Sequence, residues 1–490
     1  MAEGNRSWHH RWHMTSDTRE PTLDMGALDV TGSSRIELDN RIVIVGTMLL
    51  EAALLFWSLS GASPWLALAV SLGGLFFLIT YRWPNLGTAL VFAAAPLSFQ
   101  VRVFGGSFIA VPTEPMILLA IAARTVRTMA CGNPRVPRLP LIVPLMAYGA
   151  ATLLSCFMGE HLSVSLKGWL VLLGYAAFGY AAFADCDWNR EQRARCLRVA
   201  AAVAAVVAAY GLVRILFEGV SSRSGYGIGR PFFAEHGTYS AFLALFAPWL
   251  MLEALDRRSW PRLAYAAAFW LVLAAVVLSF TRAAWLSLAI VLPATLLIWS
   301  SRRGSVRALA ASVAWAAVFL LIVLGTGLGN RLTRHALTVV DTENVSNLER
   351  VNRWMAGWEM AKAHPWTGVG YESFSVSYPS YRRKVVLTDE TFVQMGPHNE
   401  PLRALSEAGL FGFLAGTWFV WAVAAAGLRT FRRSSQDRSR MALGITTGLG
   451  TYFVHGWLNA YPGSDKVGLA IWMAVGAVAA LSKSEDQPTG

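Results

Sequence analysis

The sequence predicts an all-α, polytopic integral membrane protein with about 12–14 transmembrane helices and a large helical extracytoplasmic loop, and three observations carry that prediction. The chain of 490 residues is 55% hydrophobic and 15% charged, with a mean hydropathy of +0.44, outside the range of soluble globular domains. Apolar runs of about 20 residues recur from end to end, the length at which a helix that satisfies its own backbone crosses the hydrocarbon. The arginines between those runs cluster in every second loop, in keeping with the positive-inside bias of membrane proteins.

The runs occupy 41–60, 64–80, 86–103, 108–123, 140–158, 168–184, 197–217, 238–255, 263–280, 283–299, 308–328, 400–428, 441–458 and 467–482. They amount to about fourteen crossings. Thr281 and Arg282 leave only a short hinge between two of them, and Pro112 and Pro115 interrupt another. Basic clusters stand at Arg124, Arg127, Arg135 and Arg138; at Arg190, Arg193, Arg195 and Arg198; at Arg257, Arg258 and Arg262; at Arg302, Arg303 and Arg307; and at Arg429, Arg432, Arg433, Arg438 and Arg440. With about fourteen crossings they all fall on one side, which is therefore predicted to be cytoplasmic together with both termini. The net charge of +12 is thereby assigned to topology, and the lipid bilayer, not a nucleic acid, is the expected partner.

Four regions follow: a disordered cytoplasmic tail over 1–40, N-terminal transmembrane helices over 41–217, a central region over 218–428 that contains the extracytoplasmic loop 329–399, and C-terminal helices and tail over 429–490. The histidines of SWHHRWH in the tail are read as a solvated cluster, not a metal site. Cys131, Cys186 and Cys196 fall in or beside cytoplasmic loops and Cys156 within an apolar run, so free thiols are expected. An internal repeat, a GxxxxGK[ST] loop and a CxxC pair are all missing from the sequence, which speaks against a nucleotide-driven pump and a zinc site.

On this topology the outer surface consists of short turns and two longer pieces, 218–237 and 329–399. Loops beyond about 15 residues in a compact fold usually carry function or are disordered. In the larger piece Val351, Trp354, Trp358 and Ala361 recur at helical spacing, predicting a helix that Pro365 ends and whose tryptophans pack on the membrane surface. Arg350 and Arg353 lie one turn apart on its other faces, where they either grip an anionic group or pair with Glu349 and nearby acids. The smaller piece, EGVSSRSGYGIGRPFFAEHG, sets Arg223 and Arg230 among glycines that let backbone amides approach a phosphate; a plain turn beside an aromatic belt has the same composition. Arg282, between two apolar runs, must snorkel outward or face a wet cavity, because an arginine deep in hydrocarbon costs about 2.5–3.5 kcal/mol. Glu51 and Glu114, inside or near runs, raise the same question.

GPHNEPLRALSEAGLFG, residues 396–412, puts His398 where the larger outer loop enters the run 400–428. With an ordinary pKa of about 6.5 an imidazole accepts a proton near neutral pH, although an interfacial histidine also serves as a polar anchor. His398-Asn399, nine intervening residues, Gly409, two more and Gly412 resemble the histidine motif of the O-antigen ligase and polymerase superfamily of bacterial envelope glycosyltransferases. That motif reads His, then Asn, Ser or Gln, then at the same spacing Gly followed by Gly, Thr or Tyr. The two glycines, one helical turn apart, are expected to permit close helix approach. The resemblance extends over residues 220–428: RPFFAEHGTYSAFLALFAPWLML resembles the arginine-bearing stretch before a span, SFTRAAWLSL the Ser-Arg turn, and HPWTGVGYESF the Pro-x-x-Gly-x-Gly segment. Ala234-Glu235-His236 stands where many members carry Pro-Asn, and Thr281 where the family turn has Ser.

The resemblance implies an enzyme of the bacterial inner membrane, with its active site on the periplasmic side, that needs neither nucleotide nor metal nor other cofactor. It would take a glycan from a polyprenyl-pyrophosphate carrier and join it to a hydroxyl of a glycolipid or glycan acceptor. His398 would be the general base, and arginines would hold the pyrophosphate: Arg230 and Arg350 first, then Arg223, Arg282 and Arg353, with Asn399 also at the substrate site. A polymerase extending O-antigen or exopolysaccharide would use the same donor chemistry. A protein-glycosylating relative is expected to carry more soluble sequence after the histidine motif. A transporter or flippase lined by Glu51, Glu114 and the arginines is the reading from another class, and it would call for broken helices and matched halves.

Overall fold

The computed structural model describes residues 46, 48, 51–52, 64–102, 108–130, 140–184, 190–256, 260–302, 310, 345–382, 396–461 and 464–483. The tail 1–40, most of the runs 41–60 and 308–328, and segments 329–344 and 383–395 of the larger loop lie outside the described residues. The chain divides into two compact units, 1–71 and 72–490. In the first, the described residues are helical at 46, 48 and 51–52 and again where α1 (Pro64–Arg82) begins. Everything below concerns the second unit.

Among its described residues that unit is built of helices and one hairpin. α2 (Pro84–Ala94) is followed by a 3-10 turn, β1 (Phe99–Arg102), β2 (Phe108–Val111) and α3 (Thr113–Ala130). β1 and β2 pair antiparallel, Phe99 opposite Val111 and Arg102 opposite Phe108. Here the apolar runs 86–103 and 108–123 differ from the expected spans. Pro96 and Pro112 cannot continue a helical ladder, and Phe99, Val101, Ile109 and Val111 favour an extended backbone. Next come α4 (Ile142–Met158), α5 (Leu162–Tyr175), which runs through a π-helical stretch to Ala181, α6 (Arg190–Glu218) and the short α7 (Ser222–Tyr226). α8 (His236–Ala244), α9 (Ala247–Asp256), α10 (Trp260–Leu278) and α11 (Arg282–Ser301) precede the loop helices α12 (Val345–Ala363) and α13 (Phe374–Tyr381). α14 (Glu400–Arg433), α15 (Gln436–Gly456) and α16 (Asp465–Lys483) close the chain.

Among the described residues seven helices are long and apolar enough to cross a membrane: Leu162–Ala181, Glu191–Glu218, His236–Leu255, Pro261–Leu278, Arg282–Ser301, Glu400–Arg433 and Asp465–Lys483. Their outward faces carry Leu170, Val206, Leu216, Phe217, Ile290, Leu414 and Trp421 exposed, a surface that only an apolar solvent would cover. The protein is an all-α, multi-pass membrane protein. α15, which is more polar, is buried along most of its length and packs on α9, α11 and α14. The interruption between α8 and α9 sits where the Leu245 carbonyl packs against Gly448 of α15, a position at which any Cβ would collide. Non-helical backbone at this point is therefore enclosed by protein, as a spanning segment requires.

α14 is the element that positions the site. It packs on α4, α12, α15 and α16, and it bends at Gly409, whose φ of 62° and ψ of −166° are accessible only to glycine. The segment 365–370 crosses this bend: Leu410 N donates to Pro365 O at 2.8 Å, Phe411 N to Trp366 O at 3.2 Å, and Val369 N to Ser406 O at 3.0 Å. A Cβ on Gly409 would strike the backbone of Trp366 and Thr367, and one on Gly368 the backbone of Glu407. The glycine thus admits an extended segment, not the neighbouring helix that the spacing suggested. Below the bend Arg403 is buried in a carboxylate cluster, at 2.6 Å from Glu400, 2.9 Å from Glu407 and 3.0 Å from Glu372. Glu407 in turn accepts from the backbone N–H groups of Glu372 and Phe374, each at 3.1 Å. These bonds lock the loop to the start of α14.

Candidate active site

A cavity of about 430 Å³ lies where three helices begin. Glu235, His236 and Gly237 line it from the start of α8, Phe280 to Ala283 from the start of α11, and His398 from the residue before the cap of α14. Glu349, Arg350 and Arg353 of α12, Tyr226 of α7, and Asn459 and Tyr461 beyond α15 complete the wall. Helix starts present unpaired backbone N–H groups and the positive end of the macrodipole, so this arrangement favours an anion even before side chains are counted.

The side chains add to that preference. Arg282, Arg350 and Arg353 all line the cavity. Burial, together with the like charges of Arg282 and Arg353, pushes the Arg350 guanidinium below its ordinary pKa. Arg353 is 2% exposed, and among the described residues its Nε and Nη2 make no hydrogen bond. The Glu349 carboxylate stands 3.8 Å from Nη2, beyond hydrogen-bonding range. A buried guanidinium with spare donors is costly, at more than about 1–3 kcal/mol, unless a ligand with oxygen acceptors meets it.

The reason lies in how α12 is turned. Its buried face is Glu349, Asn352, Arg353, Ala356, Gly357, Met360 and Ala361, while Val351 and Trp358 are 47% and 55% exposed. The apolar half of the buried face packs in a small core with Phe374 and Tyr378, and its polar half faces the cavity. The helix ends at Ala363, just before Pro365, as expected.

His398 adopts φ of 52°, a left-handed conformation uncommon for a side chain with a Cβ. Such backbone persists where its surroundings over-determine it. Trp354 Nε1 of α12 donates to Pro397 O at 3.0 Å. Asn399 caps α14, its Oδ1 accepting from Leu402 N at 2.8 Å, while its Nδ2 donates to Trp457 O at 3.0 Å. Burial first, then the positive charges of Arg353 and Arg350, lower the His398 pKa to about 4, against a hydrogen bond with Asn459 that raises it. The imidazole is therefore neutral at physiological pH and has a lone pair to accept a proton. On the opposite wall Tyr226 and His236 stack at 4.4 Å between ring centroids.

The structure gathers Arg282, Arg350, Arg353 and His398 around one cavity. Arg223 and Arg230 are exposed and outside its lining. The carbonyl of Arg230 accepts from Tyr210 Oη at 2.6 Å and Arg214 Nη1 at 2.7 Å, so its backbone is fixed while its side chain points elsewhere. Asn399 is also outside the lining and holds the loop by its cap and tether. Glu114, at the start of α3, is also outside the lining. Sequence reasoning missed Tyr226, Asn459 and Tyr461. The only linear signal for the last two is a polar NAYPG stretch following an apolar run whose end lies on the same side as His398.

Residues 267–415 match the family described as O-Antigen ligase, a segment that begins within α10, contains Arg282, Arg350, Arg353 and His398, and ends within α14. No curated protein matches the chain. The family segment supplies one wall of the cavity and its flanks, through Tyr226, Glu235, His236, Asn459 and Tyr461, the other. Over that segment this multi-pass membrane protein is similar to the O-antigen ligase family, whose members are glycosyltransferase-like ligases and polymerases.

Proposed function

We propose that the protein transfers a glycan from a polyprenyl-pyrophosphate carrier to an acceptor hydroxyl at the periplasmic face of the bacterial inner membrane, as an O-antigen ligase does. The observation that carries this reading is the meeting of one neutral, partly buried imidazole with three guanidiniums around a single cavity. His398 takes the proton of the acceptor hydroxyl as that oxygen bonds to the anomeric carbon of the donor. The bond from that carbon to the diphosphate breaks, and its electron pair leaves with the carrier pyrophosphate. Arg282, Arg350 and Arg353 stabilise the charge that develops there. A positioned base contributes about 10²–10⁴ in rate and an oriented donor to a developing oxyanion about 10²–10³.

The test is transfer by purified full-length protein given undecaprenyl-pyrophosphate-linked glycan and a lipid A core acceptor. His398→Ala is expected to lose at least about 100-fold in turnover while keeping its melting temperature; full turnover by that variant would falsify the base assignment. Gene deletion assigns the acceptor. Long unattached chains mark a ligase, and single-unit chains mark a polymerase using the same donor site.

A further inference from the structure

Tyr226, Glu235 and His236 line the cavity and take no part in the proton and diphosphate chemistry proposed above. Their elements are firmly held. Ser221 caps α7 by a reciprocal pair of bonds with Ser224, and Gly225 lets that helix lie against the Leu278 carbonyl and the Phe280 ring, where a Cβ would collide. Tyr226 therefore stands at the turn that leads into Arg282, with 43% of its surface exposed. At the start of α8, Thr281 Oγ1 donates to His236 O at 3.3 Å, which ties the same turn to the second element. The Tyr226 and His236 rings stack, their centroids 4.4 Å apart and their planes 25° from parallel.

Glu235 occupies the position before the first turn of α8, where a carboxylate commonly caps the helix, yet its side chain makes no capping bond. Exposed at the cavity wall, the carboxylate can accept from a ligand, and the first N–H groups of α8 can donate to one. Gly237 in the same turn makes room for the Tyr461 hydroxyl, which a Cβ there would strike. This wall thus sets a flat aromatic face beside an anionic acceptor and neutral donors. The carboxylate repels a diphosphate, which belongs with Arg282, Arg350 and Arg353. A pyranose suits the wall, because its C–H face buries apolar area on an aromatic ring while its hydroxyls donate to a carboxylate and accept from N–H and O–H groups. Since Thr281 and Arg282 are consecutive, the two kinds of subsite stand side by side, as a sugar and the diphosphate bonded to it require.

We propose that Tyr226, Glu235 and His236 form the subsite for the first sugar of the donor glycan, the one joined to the diphosphate, and select the donor by that sugar. The proposal rests on the reading of the cavity as a donor site. Tyr226, backed by His236, carries the face of the sugar ring, and Glu235 accepts from a sugar hydroxyl. These residues fall outside the segment 267–415 that matches the family. Sugar choice is accordingly written in the flanks of this chain, and diphosphate binding in the matched segment.

The experiment measures equilibrium binding of two ligands to the full-length protein in lipid vesicles: undecaprenyl-pyrophosphate-linked glycan extracted from cells that lack the gene, and undecaprenyl pyrophosphate without sugar. Every protein carries His398→Ala, so that the donor is not consumed. This background protein should bind the glycan-linked form at least about 30-fold more tightly than the sugarless one. Tyr226→Ala should remove at least about threefold of that preference and Glu235→Ala at least about tenfold, with the Kd of the sugarless carrier within about twofold. Tyr226→Phe keeps the ring and should keep the preference. A merely structural side chain would weaken both ligands alike and leave their ratio unchanged. An unchanged ratio in Tyr226→Ala and Glu235→Ala, or no preference in the background protein, overturns the subsite. So does a rise in acceptor KM, when the same substitutions are made with His398 intact, that leaves the donor preference untouched. Failure of the sugarless carrier to bind at all marks instead the fall of the donor reading itself, on which the subsite depends.

Discussion

Replacing Arg353 by methionine isolates the electrostatic part of the site. Methionine fills much of the volume of the buried stem, although it also takes from the buried Glu349 carboxylate the guanidinium that stands 3.8 Å away. In the wild type, Arg353 brings spare donors to the cavity wall, and a hydrogen bond to a charged group contributes about 1.5–3 kcal/mol. At about 1.4 kcal/mol per tenfold, its loss should lower kcat/KM for a pyrophosphate-linked donor by about 10- to 150-fold. The same guanidinium is, after burial, the largest cause of the depressed His398 pKa of about 4. The sign of the second effect is therefore fixed. A base works above its pKa and is lost as pH falls through it. Removing a positive charge raises that pKa, so the acid limb of kcat/KM should move upward from about 4 and stop short of the ordinary 6.5, because burial remains. The assay is initial-rate release of undecaprenyl pyrophosphate across about pH 3 to 8, chosen to bracket the limb. A variant with activity within about twofold of wild type, or an acid limb that moves downward, would refute the idea that Arg353 faces both the donor and the base.

Three other substitutions separate framework from chemistry. Gly409→Ala should destabilise the protein by more than the about 1–3 kcal/mol of a strained backbone conformation, since the added Cβ also meets the Trp366–Thr367 backbone; the melting temperature in detergent reads it. Arg403→Met leaves the carboxylates of Glu400, Glu407 and Glu372 facing one another and should cost about 3–5 kcal/mol, the usual penalty for breaking a buried ion pair, seen as a lower melting temperature that donor does not restore. Arg230→Gln alters a side chain outside the cavity lining, and transfer rates should stay within about twofold, as for surface changes away from special features.

Membrane class is legible in the sequence because it is set by composition and run length, which no tertiary contact can reverse. His398 is legible because a spaced motif marks it, Arg282 because a charge between two apolar runs is expensive enough to be noticed, and Arg350 and Arg353 because they lie one turn apart on a helix predicted in the outer loop. Arg230 lies outside the cavity lining, which its sequence context could not show. A glycine-rich loop that can cradle a phosphate and one that merely turns have the same composition, and here the Arg230 carbonyl, not its side chain, is engaged. The polar inward face of α12 was not legible, because an apolar stripe marks one face of a helix and does not say what the other faces meet; there the helix buries Asn352 and Arg353. For Asn459 and Tyr461 the sequence offers only a polar NAYPG stretch, because it is the packing of α15 on α14 that brings them to the cavity with His398.

The four defined positions of the histidine motif perform different tasks, and this bears on what a motif match can establish. His398 faces the cavity in a left-handed conformation; Asn399 caps α14 and ties it to Trp457. Gly409 bends the helix around segment 365–370, and Gly412 has no room for a Cβ beside Ala408. Three of the four thus build the frame in which one imidazole is held. The arginines that line the cavity beside that imidazole come from α11 and α12, and Asn459 and Tyr461 come from beyond α15. A chain that kept all four motif residues but lost Arg353 would fold around the same bend and lack one of those buried charges. The motif is evidence for the frame, and the chemistry must be read from the residues that the frame brings together.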